Sequence, residues 1–343
     1  MNILKKSLNK KLSVLISCLV FSTSSIAQVP FTVTETVETD VKQIQDKDEL
    51  KLLTLERMLS SPSLNGPSFK HVKYSGDGEH ITYLKSKQSD SSRYDLWRYS
   101  ISQNSHQLLV DADSIHKGKE ELSDEEKARR ERQRIFGSGI IEYTSSANGE
   151  YIAFPVNGDV YLYQISTQKH RRLTLDQAFE TDIKFSPKSR YVSFIKGQDI
   201  HIVDIESNTQ TQLTDDGKGP IKNGMAEFVA QEEMDRMTGY WWSPDERYIA
   251  FLKVDESKVD TVIRNEIYAE NIKLVEQKYP ATGTNNARVS LHNIKINTGK
   301  VTNFKMGSEE DFYIARVKWL PDSKAISYQW QDRSQQELRL NFH

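Results

Sequence analysis

Glu232 and Glu233 are adjacent carboxylates in the run Asn223–Arg236, just ahead of Trp241 and Trp242. Ionised carboxylates only accept hydrogen bonds and carry negative charge, so a pair of them suits a cationic or donor-rich ligand. Acidic pairs are common in this chain, however: Glu120-Glu121, Glu125-Glu126 and Glu309-Glu310 also occur. Adjacency alone does not separate a site from a solvated face. The second candidate is the arginine-rich run Ser123–Arg134, with Arg129, Arg130, Arg132 and Arg134. Ser123 with Glu126 three residues later is a capping box, and its acid-first, base-last order suits the helix dipole. A charged helix in water accounts for most of that pattern. The familiar catalytic engines are missing from the sequence. It has no Gly-x-Ser-x-Gly, no His-Glu-x-x-His and no phosphate loop, and its eight histidines are scattered. No cofactor and no metal are expected.

Something must hold these two helical runs, and the chain repeats itself from Phe69 onward. Gly158-Asp159-Val160-Tyr161-Leu162-Tyr163, ending at Leu173-Thr174, recurs from Gln198-Asp199-Ile200-His201-Ile202-Val203 to Leu213-Thr214. A different unit precedes each copy. Phe185-Ser186-Pro187 leads to Tyr191-Val192-Ser193-Phe194, and Trp242-Ser243-Pro244-Asp245 leads to Tyr248-Ile249-Ala250-Phe251. Related versions begin at Tyr74, Ser146 and Trp319. Each is a strand end, a turn of Ser, Pro, Asp or Gly, then a small-and-apolar strand. The two units together predict four antiparallel strands in roughly 40 residues, which is a propeller blade. A β-sandwich built from strand repeats competes, but the alternation of two units favours the propeller. The fold class is therefore all-β: a partial β-propeller of about five blade repeats with short helical insertions. Insertions fall near Gly118–Arg134, Lys222–Tyr240 and Asp255–Thr284. The fifth repeat reaches Glu337-Leu338-Arg339-Leu340 and is expected to be incomplete, as in a piece of a longer protein.

The 343 residues are 37% hydrophobic and 27% charged, with a formal net charge of -2. This is globular composition without the basic excess that nucleic-acid binding needs. The N-terminus differs. Lys5, Lys6, Lys10 and Lys11 precede an apolar run from Leu12 to Phe21, then Ser25-Ile26-Ala27. That order predicts a signal peptide over residues 1–27 and an exported, periplasmic or secreted protein. Cys18, the only cysteine, follows Leu15-Ile16-Ser17 in the manner of a lipobox, so a lipid anchor is the alternative. Residues 28–66 read as a linker with a helix from about Gln45 to Ser60, and residues 67–343 as the propeller.

Five stretches, in order, resemble the dipeptidyl peptidase IV family of serine exopeptidases, especially its bacterial and cytosolic-type branches. They are Glu125–Ile140 (EEKARRERQRIFGSGI), Glu227–Pro244 (EFVAQEEMDRMTGYWWSP), Tyr279–Val289 (YPATGTNNARV), Tyr313–Trp319 (YIARVKW) and Asp332–Leu338 (DRSQQEL). The resemblance implies an eight-bladed propeller stacked on a C-terminal α/β-hydrolase domain that cleaves N-terminal dipeptides after Pro or Ala. It implies peptides with a free N-terminus as partners, and a homodimer for the full-length protein. By position, Glu232 and Glu233 would bind the substrate ammonium. By motif, Arg134 would hold the first peptide carbonyl, with Arg130 and Arg132 as alternatives. A bound ammonium would relieve the repulsion between the carboxylates. One such charge pair at 4 Å is worth about 1 kcal/mol in water and about 4 kcal/mol at an effective dielectric of 20. Ala281 and Ala287 stand where the family has Lys and Pro, with structural consequences expected. No triad residue can be assigned in this chain, and a non-catalytic binding or scaffold propeller is the competing reading.

Overall fold

The computed structural model describes residues 53–60, 64–76, 78–175 and 178–343. The expected signal peptide, Cys18, the linker and the first part of the expected N-terminal helix lie outside them. The chain divides into two compact units, Met1–Met58 and Leu59–His343. Helix α1 (Leu55–Leu59) is a little over one turn and buries no residue.

From Phe69 the chain builds antiparallel sheets in sequence order. Blade 1 is β1 (Phe69–Tyr74), β2 (His80–Ser86), β3 (Arg93–Ser100) and β4 (Ser105–Val110). A short strand β5 (Ser138–Gly139) adds to β3 in parallel. Blade 2 is β6 (Thr144–Ser145), β7 (Tyr151–Val156), β8 (Asp159–Gln164) and β9 (Lys169–Arg172). Blade 3 is β10 (Thr181–Phe185), β11 (Tyr191–Lys196), β12 (Asp199–Asp204) and β13 (Gln210–Gln212). In blade 4 the first strand is split into β14 (Ile221–Asn223) and β15 (Tyr240–Trp242), both paired with β16 (Tyr248–Asp255). A separate two-stranded arm, β17 (Thr261–Ile267) and β18 (Ile272–Lys278), precedes β19 (Arg288–Lys295) and β20 (Val301–Asn303). Blade 5 holds β21 (Phe312–Trp319), β22 (Ile326–Asp332) and β23 (Leu338–Phe342). These are the blades of a β-propeller, in which the first strand of each blade lies nearest the axis.

The repeated residues have physical jobs. The hydroxyls of Ser75, Ser146, Ser186 and Ser243 each accept the backbone N–H five residues on, at 3.0, 2.8, 2.9 and 3.0 Å, and so close the turn between the first two strands. Thr174 and Thr214 accept the N–H groups of Val160 and Ile200, which explains the recurring Leu-Thr. Apolar clusters fill every space between neighbouring blades. Leu84 and Leu96 meet Ile152 and Phe154 between blades 1 and 2, and Val160 and Leu162 meet Val192 and Phe194 between blades 2 and 3. Ile195 and Ile200 meet Tyr240 and Phe251 between blades 3 and 4, and Leu252 meets Ile314 and Trp330 between blades 4 and 5.

Two of these four junctions carry a lysine–tyrosine lock on their first strands; between blades 4 and 5 the Trp319 indole N–H donates to the Trp241 carbonyl at 3.0 Å instead. Lys73 of β1 donates to the Tyr143 carbonyl at 2.7 Å and lies 4.6 Å from that ring's centre. The Tyr143 hydroxyl donates back to the His71 carbonyl at 2.6 Å and lies 3.0 Å from the Thr82 hydroxyl. Lys184 of β10 donates to the Tyr240 carbonyl at 2.8 Å, with its ammonium 3.6 Å from the ring centre. The Tyr240 hydroxyl donates back to the Asp182 carbonyl and bonds Ser193 at 3.2 Å. In both copies a β-bulge turns the carbonyl inward. Its residue, His71 or Asp182, takes a left-handed conformation (φ 51° and 52°). Burial pushes both ammoniums below the ordinary lysine range, against the opposing pull of Glu142 on Lys73 and Asp182 on Lys184. Burial also raises the Tyr143 hydroxyl to about 12.

Candidate functional site

The arginine run forms α2 (Asp124–Arg132), in the connection from blade 1 to β6. Ser123 caps it, accepting the Glu126 N–H at 3.2 Å. The other half of the predicted capping box goes elsewhere. The Glu126 carboxylate is buried and takes Arg129 at 2.7 Å and Arg130 at 2.6 Å. Burial raises its proton affinity, but the two arginines outweigh that and hold it below the usual carboxylate range. The helix is thus not the solvated charged face its composition suggests. Arg130 is itself buried, between Glu126 and Glu120 (2.9 Å). Arg129 also reaches Glu142, next to Tyr143, at 3.1 Å.

The glutamate run forms α3 (Phe228–Glu233), inserted between β14 and β15 so that it interrupts the first strand of blade 4. Glu227 occupies the N-cap without capping, because its carboxylate pairs with Arg236 at 2.7 Å. Both groups are about 95% buried. Arg236 further donates to the carbonyls of Ile314 (3.1 Å) and Thr238 (2.9 Å). This pair staples the start of the insertion to its end and both to blade 5. Its only trace in the sequence is a pair of opposite charges nine residues apart. Ala230 is fully buried beneath the helix. Glu232 and Glu233 face outward, exposed, and neither has a hydrogen-bond or ion-pair partner among the described residues.

The two helices meet. Arg132 donates to the Gln231 side chain at 3.4 Å and lies over the Phe228 ring at 5.4 Å. Burial pulls its guanidinium below the usual range, with Glu256, Glu232 and Glu131 opposing. Glu131 is joined by Arg264 of the arm at 3.3 Å. Of the three arginines weighed from sequence, Arg130 has its donors committed and Arg132 braces α3. Arg134 is exposed and left-handed at φ 54°; its N–H donates to the Glu131 carbonyl at 3.1 Å, and its guanidinium has no hydrogen-bond or ion-pair partner among the described residues. Such a conformation is uncommon for a residue with a side chain, and it turns the backbone sharply away from the end of α2.

A cavity behind α3, lined by Phe228, Val229, Asn286, Ala287 and Tyr313, measures about 10 Å³, room for no more than a water. Ala287, where a Pro was expected by resemblance, packs against the core between blades 4 and 5. A broader groove of about 860 Å³ between turns of blades 3 and 4 contains neither glutamate and none of the three arginines.

Residues 143–343, more than half of the chain, match the family model described as the dipeptidyl peptidase IV (DPP IV) N-terminal region. Human dipeptidyl peptidase 8 is 29% identical over 262 residues, covering 64% of this chain and 28% of that protein. Dipeptidyl aminopeptidase B of Saccharomyces cerevisiae is 26% identical over 261 residues, covering 73% and 30%. The chain thus spans under a third of the length of these relatives. The crystal structure of Porphyromonas gingivalis dipeptidyl peptidase 4 superposes with a TM-score of 0.62 at 22% identity, over 79% of this chain and 37% of that one, and supports the propeller fold. The chain belongs to the dipeptidyl peptidase IV family, within its N-terminal region.

Proposed function

We propose that this chain reads the free N-terminus of a peptide, as the recognition part of an exported serine-type dipeptidyl peptidase that removes X-Pro or X-Ala dipeptides. The observation that carries the reading is the pair of unpartnered, exposed carboxylates Glu232 and Glu233 on a short helix anchored by a buried ion pair. Two carboxylates on one helix end attract an ammonium more than either does alone. Arg134 supplies a free planar donor fork for the first peptide carbonyl. A ligand held by its ammonium is measured from its N-terminus, so a nucleophile at fixed reach cuts after a set number of residues. In this reading the nucleophile belongs to an α/β-hydrolase domain, since this sequence contains no Gly-x-Ser-x-Gly.

Titration of Gly-Pro-Gly and its N-acetyl form by NMR tests the reading. The free amine should bind at least about ten-fold tighter, and Glu232→Ala and Glu233→Ala should each erase the difference. Equal binding of the two peptides by the unaltered chain would sink the proposal. Export follows from the N-terminal pattern of residues 1–27. It predicts secreted material whose mass begins at Gln28, and recovery of uncleaved chain in the cytoplasm would refute it.

A further inference from the structure

The two locks occur where the two functional insertions return to the propeller. The α2 insertion rejoins the blades at Glu142-Tyr143, and Tyr143 is the tyrosine of the first lock. The α3 insertion rejoins at Thr238–Tyr240, and Tyr240 is the tyrosine of the second. At the two junctions without a lysine lock, no helix precedes or interrupts the following first strand among the described residues. Among the described residues no helix lies between β9 and β10, and β21 follows β20 without a helix.

Each lock continues into its helix through explicit contacts. From Lys73 the path runs to Tyr143, to its neighbour Glu142, and across the ion pair to Arg129 on α2. From Lys184 it runs to the Thr238 hydroxyl, from the Thr238 carbonyl to Arg236, and across the buried pair to Glu227 at the start of α3. The two paths converge where Arg132 meets Gln231 and Phe228.

We infer that Lys73 and Lys184 are positioning residues for the site: each fixes the strand from which one helix is hung, so that the arginine helix and the glutamate helix stay in register. The inference rests on the reading of Glu232 and Glu233 given above. Neither lysine touches the ligand. Both act by setting the separation of α2 and α3, and a small misplacement of binding groups is costly to recognition.

The test compares Lys184→Met and Lys73→Met with Val192→Ala, a core truncation at the lock-free junction between blades 2 and 3. Thermal melts calibrate the general destabilisation. The lock variants should raise the Kd for Gly-Pro-Gly by about ten-fold, whereas Val192→Ala should lower the melting temperature and leave Kd within about two-fold. Lys184→Arg should recover most of the affinity. If the lock and core variants weaken binding in proportion to their melts, or if the lock variants bind normally, the inference fails. Amide exchange gives a ligand-free reading. The Gln231 and Arg236 N–H groups, bonded to the Glu227 and Ala230 carbonyls, should exchange faster in Lys184→Met than in Val192→Ala. Tyr240→Phe, which spares the Lys184–carbonyl bond, serves if Lys184→Met does not fold. Unchanged exchange overturns the inference. Loss of the free-amine preference in the unaltered chain would instead overturn the site reading, and exchange would still judge the locks.

Discussion

The junction between blades 3 and 4 and the junction between blades 2 and 3 bury similar apolar clusters, yet only the first is also tied by a lysine, a tyrosine and a bulge. At the position of Lys184, blade 2 has Thr144. Opposite it, where blade 3 has Ser193, blade 2 has Ala153. Apolar burial is non-directional and holds two sheets together without fixing their slide. Hydrogen bonds to a carbonyl have direction. Those made by a buried-ring lysine–tyrosine pair occur at the two junctions whose following strand carries a helical insertion, while the other two junctions are crossed by Arg171 to the Ile205 carbonyl and Trp319 to the Trp241 carbonyl. The locks therefore supply alignment, and the clusters supply adhesion.

Breaking the anchor of the glutamate insertion should have the largest effect. Glu227→Ala leaves Arg236 buried without its carboxylate and should lose about 3–5 kcal/mol in chemical denaturation. A loss below about 1 kcal/mol would mean that the pair does not hold the insertion. Tyr240→Phe should come next. It strands the Asp182 carbonyl, while the Ser193 hydroxyl keeps the Trp242 indole and the Lys184 carbonyl, and should cost about 1–3 kcal/mol.

The third effect is a pH dependence. The Tyr143 hydroxyl is raised from 10.0 to about 12 in the folded chain. Between those values the folded state keeps a proton that the unfolded state sheds, so stability present below pH 10 is lost as pH rises toward 12. Lys73, displaced downward by burial, works in the opposite sense only up to its ordinary value of 10.5. Unfolding followed from pH 9 to 12 should fall more steeply for the unaltered chain than for Tyr143→Phe, by on the order of 2 kcal/mol at the top of the range. Parallel curves would remove Tyr143 from the account.

The smallest effect sharpens the comparison. Lys318 and Ser327 of blade 5 occupy the same paired positions as Lys184 and Ser193, and Ser327 donates to the Lys318 carbonyl at 3.1 Å as Ser193 does to that of Lys184 at 3.3 Å. Lys318 is exposed and engages no tyrosine among the described residues. Lys318→Met should change stability by no more than about 0.5 kcal/mol. A loss as large as that of Lys184→Met would show that the repeat position matters and not the lock.

Much of this architecture was legible because it rests on local chemistry. Ser turns, Leu-Thr endings and small-and-apolar strands recur within each blade; the Ser turns are closed by bonds spanning 5 residues and the Leu-Thr endings by bonds spanning 14. The run that forms α3 was legible as a helical insertion in a blade. The locks were not. Lys73 and Tyr143 are 70 residues apart, Lys184 and Tyr240 are 56 apart, and a lysine in a polar context reads as a surface residue. The division of labour among Arg130, Arg132 and Arg134 was equally hidden. It depends on Glu120, Glu126 and Gln231, whose side-chain directions the sequence does not state. The arm of β17 and β18 was visible only as an insertion, and its contact with Glu131 through Arg264 joins residues 133 apart.

Strand β23 has a practical consequence for all of these experiments. Among the described residues it pairs with β22 alone, and Leu338, Leu340 and Phe342 along it are each at least 60% exposed. An unpaired strand edge lined with aliphatic and aromatic groups is a template for aggregation. Purified at high concentration, this chain should self-associate and scatter light, and Leu340→Lys should restore solubility without touching either helix.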